Sequence, residues 1–569
     1  MSKHKLNHLT LILLLTIFLG SCTKINDSNT LRMNLGSEPL TLDWNLANDY
    51  ISFDIISNIM VGLTRFSLDK NGNIISVPGC AESWTINKNS TEYIFKLNPR
   101  IKWTDGQQVI AQDFVDSFRR LLDPETAAPY AALLSMIDLD KTKAINDSTL
   151  KITLKNPAAY FIYLTSYGLA LPIRQDLIDE YGKDWTEPEN LVTNGPFKLT
   201  HWQHEYKIVL ERNKDFVIAS PKGAFKMAPT STQKTKVVIR SSEAARQSPN
   251  NNSVNTLKYF MIPEQSSAFT LYKNNQLDWI DSRSIPLAEV PKGPFVNGFD
   301  KKGNQRIPLL RNTYIGFNNK SGPMANKKLR QAFSYAIDRK ILTKVRSKGD
   351  EANSTFIPPS LSQYINYFVL KKNFEKTYGI KTTEKEYLNG YYPDLARKLL
   401  KEAGYESPEA VPELSFIVPN TESSKTLAET LQSMWQKELG VNVKISTLEW
   451  KVFLNTLRDS PPDLFRLNWG ADYPDPDTFM QLFTTNNQIN YEGFSNPRYD
   501  SLVQQAGQIN NLERRSELYT QAELILSQKE MAIAPLFIDS QIIMKKPDVK
   551  NLVVNPMDIV FLDQVKLER

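Results

Sequence analysis

Cysteine and histidine are scarce in this chain: two Cys and four His among 569 residues. His4 and His8 fall within the first ten residues, in a stretch patterned like a cleaved leader. That leaves His201 and His204 as the imidazoles of the working protein. A His- or Cys-ligated metal enzyme is hard to build from so few ligands, and so is a histidine-based triad. Blocks of one charge are missing too. Lys plus Arg total 68 against 62 Asp plus Glu, a net +6, and the two signs are interspersed. Without a run of five or six basic residues there is no nucleic-acid footprint. Beyond the N-terminus no apolar run approaches the roughly 18 residues that a spanning helix requires. Gly-x-Gly-x-x-Gly, Gly-x4-Gly-Lys-Ser/Thr, His-Glu-x-x-His and Gly-x-Ser-x-Gly are all absent. Binding rather than catalysis becomes the default, with no cofactor and no metal expected.

What is present is an ordinary globular composition, 41% apolar and 23% charged. The length predicts about three to five compact units. Lys3 and Lys5 precede an eleven-residue apolar stretch, Leu9–Leu19. It is too short to cross a bilayer of about 30 Å as a helix and fits the apolar region of an export signal. Leu19-Gly20-Ser21-Cys22 then resembles the lipobox of bacterial lipoproteins, which implies that residues 1–21 are removed and that Cys22 carries lipid. Removal takes two lysines and no acid, so the net charge falls from +6 to +4. Cys80 would then have no disulfide partner, which a core of this size can do without. Residues 22–30 read as a polar tether.

Strands and helices alternate along the rest of the chain without a fixed repeat. Apolar spacing predicts helices over 51–63, 113–122, 325–342, 395–403 and 426–439. Gly440 ends the last of these, and a strand at 441–445 follows. Asn194-Gly195-Pro196-Phe197 predicts a turn into a strand pair at 197–202 and 207–211. Residues 360–390 are polar and weakly periodic and read as an exposed excursion. On a strand, His201 and His204 would point to opposite faces, so a hydrogen-bonded or surface pair suits them better than a metal site. Asp475 and Asp477 sit in a Pro-rich turn, and nothing arranges them as a general acid and base.

Four stretches carry a family resemblance. The first runs from Ala81-Glu82-Ser83-Trp84 through Tyr93-Ile94-Phe95-Lys96-Leu97 and Ile101-Lys102-Trp103-Thr104-Asp105-Gly106 to Ala111-Gln112-Asp113-Phe114-Val115. The second is Asn194-Gly195-Pro196-Phe197-Lys198-Leu199 with Val209-Leu210-Glu211-Arg212-Asn213. The third is Leu329-Arg330-Gln331-Ala332-Phe333-Ser334-Tyr335-Ala336-Ile337-Asp338-Arg339. The fourth is Trp469-Gly470-Ala471-Asp472-Tyr473-Pro474-Asp475-Pro476. In this order they resemble the oligopeptide-binding proteins of ABC transporters, an extracellular solute-binding family that also holds dipeptide, nickel and haem binders. The resemblance implies an α/β fold of two lobes, periplasmic-binding-protein-like, with an extra third domain and the ligand enclosed in the interlobe cleft. Lobe I would take 31–62, 190–285 and 531–569. The extra domain would take 63–189, and lobe II 286–530.

The same resemblance implies the site. Asp472 matches the acid that holds a peptide α-ammonium. Trp469 and Trp450 would line side-chain pockets, Gly470 would lie in the site with them, and Arg466 would reach a peptide carboxylate through its bidentate fork. A second family arginine falls on Leu457, beside Arg458, which alters the carboxylate grip. Tyr130 would pack on the ligand. The family's cleft glutamate falls on Asn48, with Asp49 adjacent and Tyr50 a neighbour. The expected function is a lipid-anchored, monomeric receptor in the periplasm or on the cell-surface side of the bacterial membrane. It would capture short peptides and deliver them to an ABC permease in the inner membrane. The alternatives are a same-fold binder of murein peptide, haem or a nickel chelate, and an exported peptidase.

Overall fold

The structure is a computed structural model that describes residues 27–69, 72, 74–217, 253–291, 299–346 and 348–569. The leader and Cys22 lie outside the described residues. Of the expected tether, Asp27–Asn29 forms a 3-10 turn and Thr30 already belongs to a strand.

Buried Leu31 and Met33 alternate on strand Thr30–Asn34, which pairs in parallel with Thr256–Phe260. Lys207–Arg212 and Phe197–Gln203 complete this four-stranded sheet, so the turn at 194–196 leads into the expected strand pair. A second four-stranded sheet has the order Ala81–Ile86, Glu92–Leu97, Thr149–Thr153, Lys143–Asn146. Helix Ala111–Leu122 buries Phe114, Val115, Phe118 and Leu121. Its start is held by the Asp113 carboxylate, which accepts from Ile110 N–H at 2.9 Å and Trp103 Nε1–H at 3.0 Å.

The third sheet has seven strands. Along its path run Trp279–Asp281, Ile533–Lys545, Asn304–Phe317, Leu464–Gly470, Leu414–Pro419 and Val443–Leu448, with Glu351–Ala352 also paired to Ile533–Lys545. Leu414–Pro419 and Val443–Leu448 are parallel and joined by helix Glu422–Leu439, as a parallel crossover requires. Gly440 closes that helix at φ +72°, and its N–H donates to Gln436 O at 3.0 Å. This left-handed position costs glycine nothing.

Two large cores result. One gathers residues from 31–210, 254–279 and the tail after 549; the other gathers chiefly residues 310–537. A mixed α/β fold in two lobes follows, as expected. The extra-domain residues share the first core, and Phe66 and Ile74 of its hairpin reach the second.

Three expectations are corrected. Residues 531–569 do not all belong with lobe I, because Ile533–Lys545 runs between Trp279–Asp281 and Asn304–Phe317 inside the seven-stranded sheet. The segment 360–390 is no exposed excursion. Helices Tyr367–Tyr378 and Glu384–Asn389 bury Leu370, Phe374 and Tyr387, and Phe374 packs on Tyr335 and Tyr392. Tyr367, Leu370, Phe374 and Tyr378 do recur at three- and four-residue spacing, but lysines, glutamate and other polar residues fill most of the segment and mask that stripe. The single helix expected over 325–342 is two, Lys327–Tyr335 and Arg339–Arg346. Asp338 accepts from Lys340 N–H at 3.1 Å, and Arg339 binds the carbonyls of Ser334 and Ile337 near the break.

Candidate functional site

A cavity of about 510 Å³ opens between the two cores, within the range of roughly 300–1,000 Å³ typical of small-molecule sites. Five parts of the chain supply its wall: Asn48–Gly62, the extra-domain residues Thr64–Phe66 with Tyr130 and 166–171, Pro196 with Phe216, the larger lobe through Arg311, Trp450 and 470–472, and the tail through 557–563.

Asp472 is placed by a braced loop. Strand Leu464–Gly470 ends, and Ala471 N–H donates to Leu310 O at 2.8 Å. Asp472 N–H donates to Thr478 Oγ1 at 3.2 Å, and the Thr478 hydroxyl reaches Asp472 Oδ2 at 3.4 Å. Behind it, Asp475 takes both terminal nitrogens of Arg515 at 2.7 and 2.8 Å, with neither side chain exposed. Asp475 Oδ1 accepts from Asp477 N–H at 3.0 Å, and Tyr473 O–H donates to Asp477 Oδ2 at 2.9 Å. Asp475 and Asp477 are therefore supports of the loop, which also fixes the direction of Asp472.

Five carboxylates stand in the wall, and four have other commitments. Asp49 caps helix Tyr50–Ile59, accepting from Ser52 N–H at 2.9 Å and its hydroxyl at 2.6 Å. Asp54 pairs with Arg283 at 2.7 Å. Asp558 accepts from Gln541 at 2.9 Å, and Asp563 accepts from Gln564 at 2.9 Å. Asp472, 8% exposed, has only the Thr478 hydroxyl among the described residues. Burial pushes its carboxyl up to about 7, and Thr478 offsets this only in part. Burial also raises Asp54, to about 6, against the pull of Arg283. The Tyr130 and Tyr167 phenols rise through burial first and then through the nearby Asp472 charge.

The structure brings Asn48, Tyr50, Tyr130, Trp450, Gly470 and Asp472 into the wall. Tyr50 is half exposed and stacks over Arg283 at 5.4 Å. Trp450 is half exposed and stacks on Phe453 at 5.6 Å. Trp469 and Arg466 stand outside it. Trp469 packs on the larger core with Nε1 3.5 Å from Thr478 Oγ1. Arg466 is buried near Asp539, Arg346 and Asp350, and burial lowers its pKa to about 10. The turn residue His204 leaves the strand altogether, and its Nδ1 lies 2.6 Å from Glu38 Oε1. Sequence reasoning missed Arg65, Tyr167, Arg311 and the tail. In the tail, the alternation of Met557, Ile559 and Phe561 was the available signal.

A two-lobed α/β frame enclosing a cavity with one weakly partnered buried carboxylate defines a solute receptor. The chain belongs to the bacterial extracellular solute-binding proteins, family 5, whose model matches residues 76–491. It is 30% identical to the periplasmic oligopeptide-binding protein OppA of Escherichia coli over 537 residues, covering 90% of this chain and 87% of that one. It is 29% identical to the oligopeptide-binding protein OppA of Bacillus subtilis, covering 97% of each. The structure of the Escherichia coli murein tripeptide binding protein MppA superposes with a TM-score of 0.71 at 27% identity, over 95% of this chain and 98% of that one. Proteins of this family are binding components of transport, not enzymes.

Proposed function

We propose that this protein captures short peptides by their amino end and delivers them to an ABC permease. The observation that carries this reading is Asp472, a buried cavity carboxylate whose one side-chain partner among the described residues is a hydroxyl. An α-ammonium supplies the charge and the donors that such a group requires. The oligopeptide- and murein-peptide-binding names of the relatives support the same ligand class. We further read Cys22 as the lipid anchor that holds a monomeric receptor in the periplasm or on the cell-surface side of the bacterial membrane. Tyr130, Trp450, Gly470, Asn48 and Tyr50 would border the peptide. Lobe I would comprise 31–62 and 190–278 with the tail after 545, the extra domain 63–189, and lobe II the residues from 279 to 545 that hold the seven-stranded sheet.

Native mass spectrometry of protein purified from a rich cytoplasm is expected to show adducts of short peptides, the size class that a cavity of about 510 Å³ can take. A tightly held metal or haem, or cleavage of added peptides, would overturn the reading.

Binding is also expected to depend on pH. The ammonium needs an ionised Asp472, whose pKa is about 7, so below pH 7 each peptide must displace a proton. Affinity falls by up to about tenfold for each pH unit below that point. Above about pH 8 it falls again as the peptide α-amine loses its own proton. Calorimetry in buffers of different ionisation heat should find close to one proton released per peptide at pH 6. A flat affinity from pH 5 to 8 would remove Asp472 from the contact.

A further inference from the structure

Arg65 stands on strand Thr64–Leu68 in the cavity wall. Most other buried arginines of this fold meet their obligations at hydrogen-bond distance. Arg515 binds Asp475 at 2.7 and 2.8 Å, Arg120 binds Asp43 at 2.6 and 2.9 Å, and Arg283 binds Asp54 at 2.7 Å. Arg330 and Arg339 satisfy themselves on backbone carbonyls. Arg65 does neither. Its ion pair among the described residues is with Asp563 at 3.8 Å, beyond hydrogen-bond reach, and its buried Nε has no partner. Burial accordingly lowers its pKa, with Asp563 opposing.

A guanidinium presents five donors in a plane that matches a carboxylate in a two-point grip. The Arg65 side chain is 21% exposed, so some of these donors can reach water, but leaving its buried Nε unmatched is costly. Arg466, the arginine that the family resemblance puts forward for a peptide carboxylate, also has a buried Nε without a partner, but it is outside the wall, whereas Arg65 is in it. Arg311 is also in the wall, and its ion pair with Asp558 is equally long at 3.8 Å, but its side chain is one-third exposed, so water can serve its donors, and it has no buried nitrogen left without a partner.

We propose that Arg65 grips a carboxylate of the bound peptide, so that the cavity holds a zwitterion between Asp472 and Arg65. This rests on the peptide-receptor reading above. The carboxylate is either the chain terminus or an acidic side chain, and the two sources present the same chemistry. Asp563 stays beside the grip and weakens it, because two carboxylates then share one guanidinium.

The test is calorimetry at pH 7.5 on wild type, Arg65→Gln, Arg65→Lys and Arg311→Gln, with melting temperatures confirming that each variant folds. The first probe pair is tri-alanine against its C-terminal amide. The second is Ala-Glu-Ala amide against Ala-Gln-Ala amide. In wild type, one pair should differ by about 10- to 100-fold, and which pair does so assigns the source. Arg65→Gln should abolish that difference, and Arg65→Lys should keep part of it. The proposal is overturned if Arg65→Gln keeps the wild-type difference, if Arg311→Gln alone removes it, or if neither pair differs in wild type. Failure of wild type to bind any of the four probes counts against the receptor reading itself, a result separable from the other outcomes.

Discussion

Asp472→Asn is expected to abolish most peptide binding while leaving the ligand-free protein more stable at neutral and alkaline pH. The two effects have one cause. The carboxyl is buried, and its pKa of about 7 stands against 3.8 for the free group. That difference corresponds to about 4 kcal/mol of opposition to ionisation. The sign follows from proton binding. Between about pH 4 and 7 the folded state holds this proton and the unfolded state does not, so the stability contribution is full at low pH and is lost as pH rises through 7. An amide of the same shape has no charge to desolvate. Unliganded Asp472→Asn should therefore melt higher than wild type at pH 8 and close to it at pH 4. In the complex the charge gains its partner, and removing one member of a buried pair costs about 3–5 kcal/mol. That is on the order of a hundred- to several-thousand-fold in affinity. Unchanged affinity, or a lower melting temperature at pH 8, would contradict this account.

Arg515→Ala is expected to have the largest effect on stability, about 3–5 kcal/mol. The substitution strands Asp475, which is fully buried and loses both guanidinium contacts. It also frees the loop that carries Asp472, so affinity should fall although Arg515 is outside the cavity wall. The double replacement Arg515→Met with Asp475→Leu removes the stranded charge. Replacing a buried ion pair by apolar residues is often near neutral, so the double variant should melt well above Arg515→Ala. A double variant no more stable than the single one would show that the ion pair is not what holds this loop.

The large pattern was legible in the chain, and the walls of the site only partly. Thr426–Leu439 with Gly440 behind it was readable as a helix and its stop, since an apolar stripe and a left-handed glycine are local features. The family resemblance of Trp469 to Pro476 led to Asp472, and Asp472 is in the wall. The same reasoning could not tell which residues of that strand face the cavity. Strand alternation places Arg466, Asn468 and Gly470 on one face, but the wall reaches only Gly470. Arg65 carries no local signal at all. Its importance comes from the length of its ion pair to Asp563, a residue nearly five hundred positions away. The helices within 360–390 were missed because a polar composition outweighed the short stripe of Leu370, Phe374 and Tyr378; the Phe374 and Tyr378 rings pack with Tyr392 around Tyr335 of a helix distant in sequence.

The place of Ile533–Lys545 inside the seven-stranded sheet bears on how the chain matures. Asn304 lies opposite Met544, 240 positions later. A growing chain must therefore wait until almost its last residues are made before the larger lobe can close. Until then the strand Asn304–Phe317 presents an open edge, and contacts of such long sequence separation form slowly. The tail that completes the cavity wall comes later still. Binding competence is thus acquired at the end of synthesis, and a polypeptide of this topology stays loose for as long as it is being threaded to its destination.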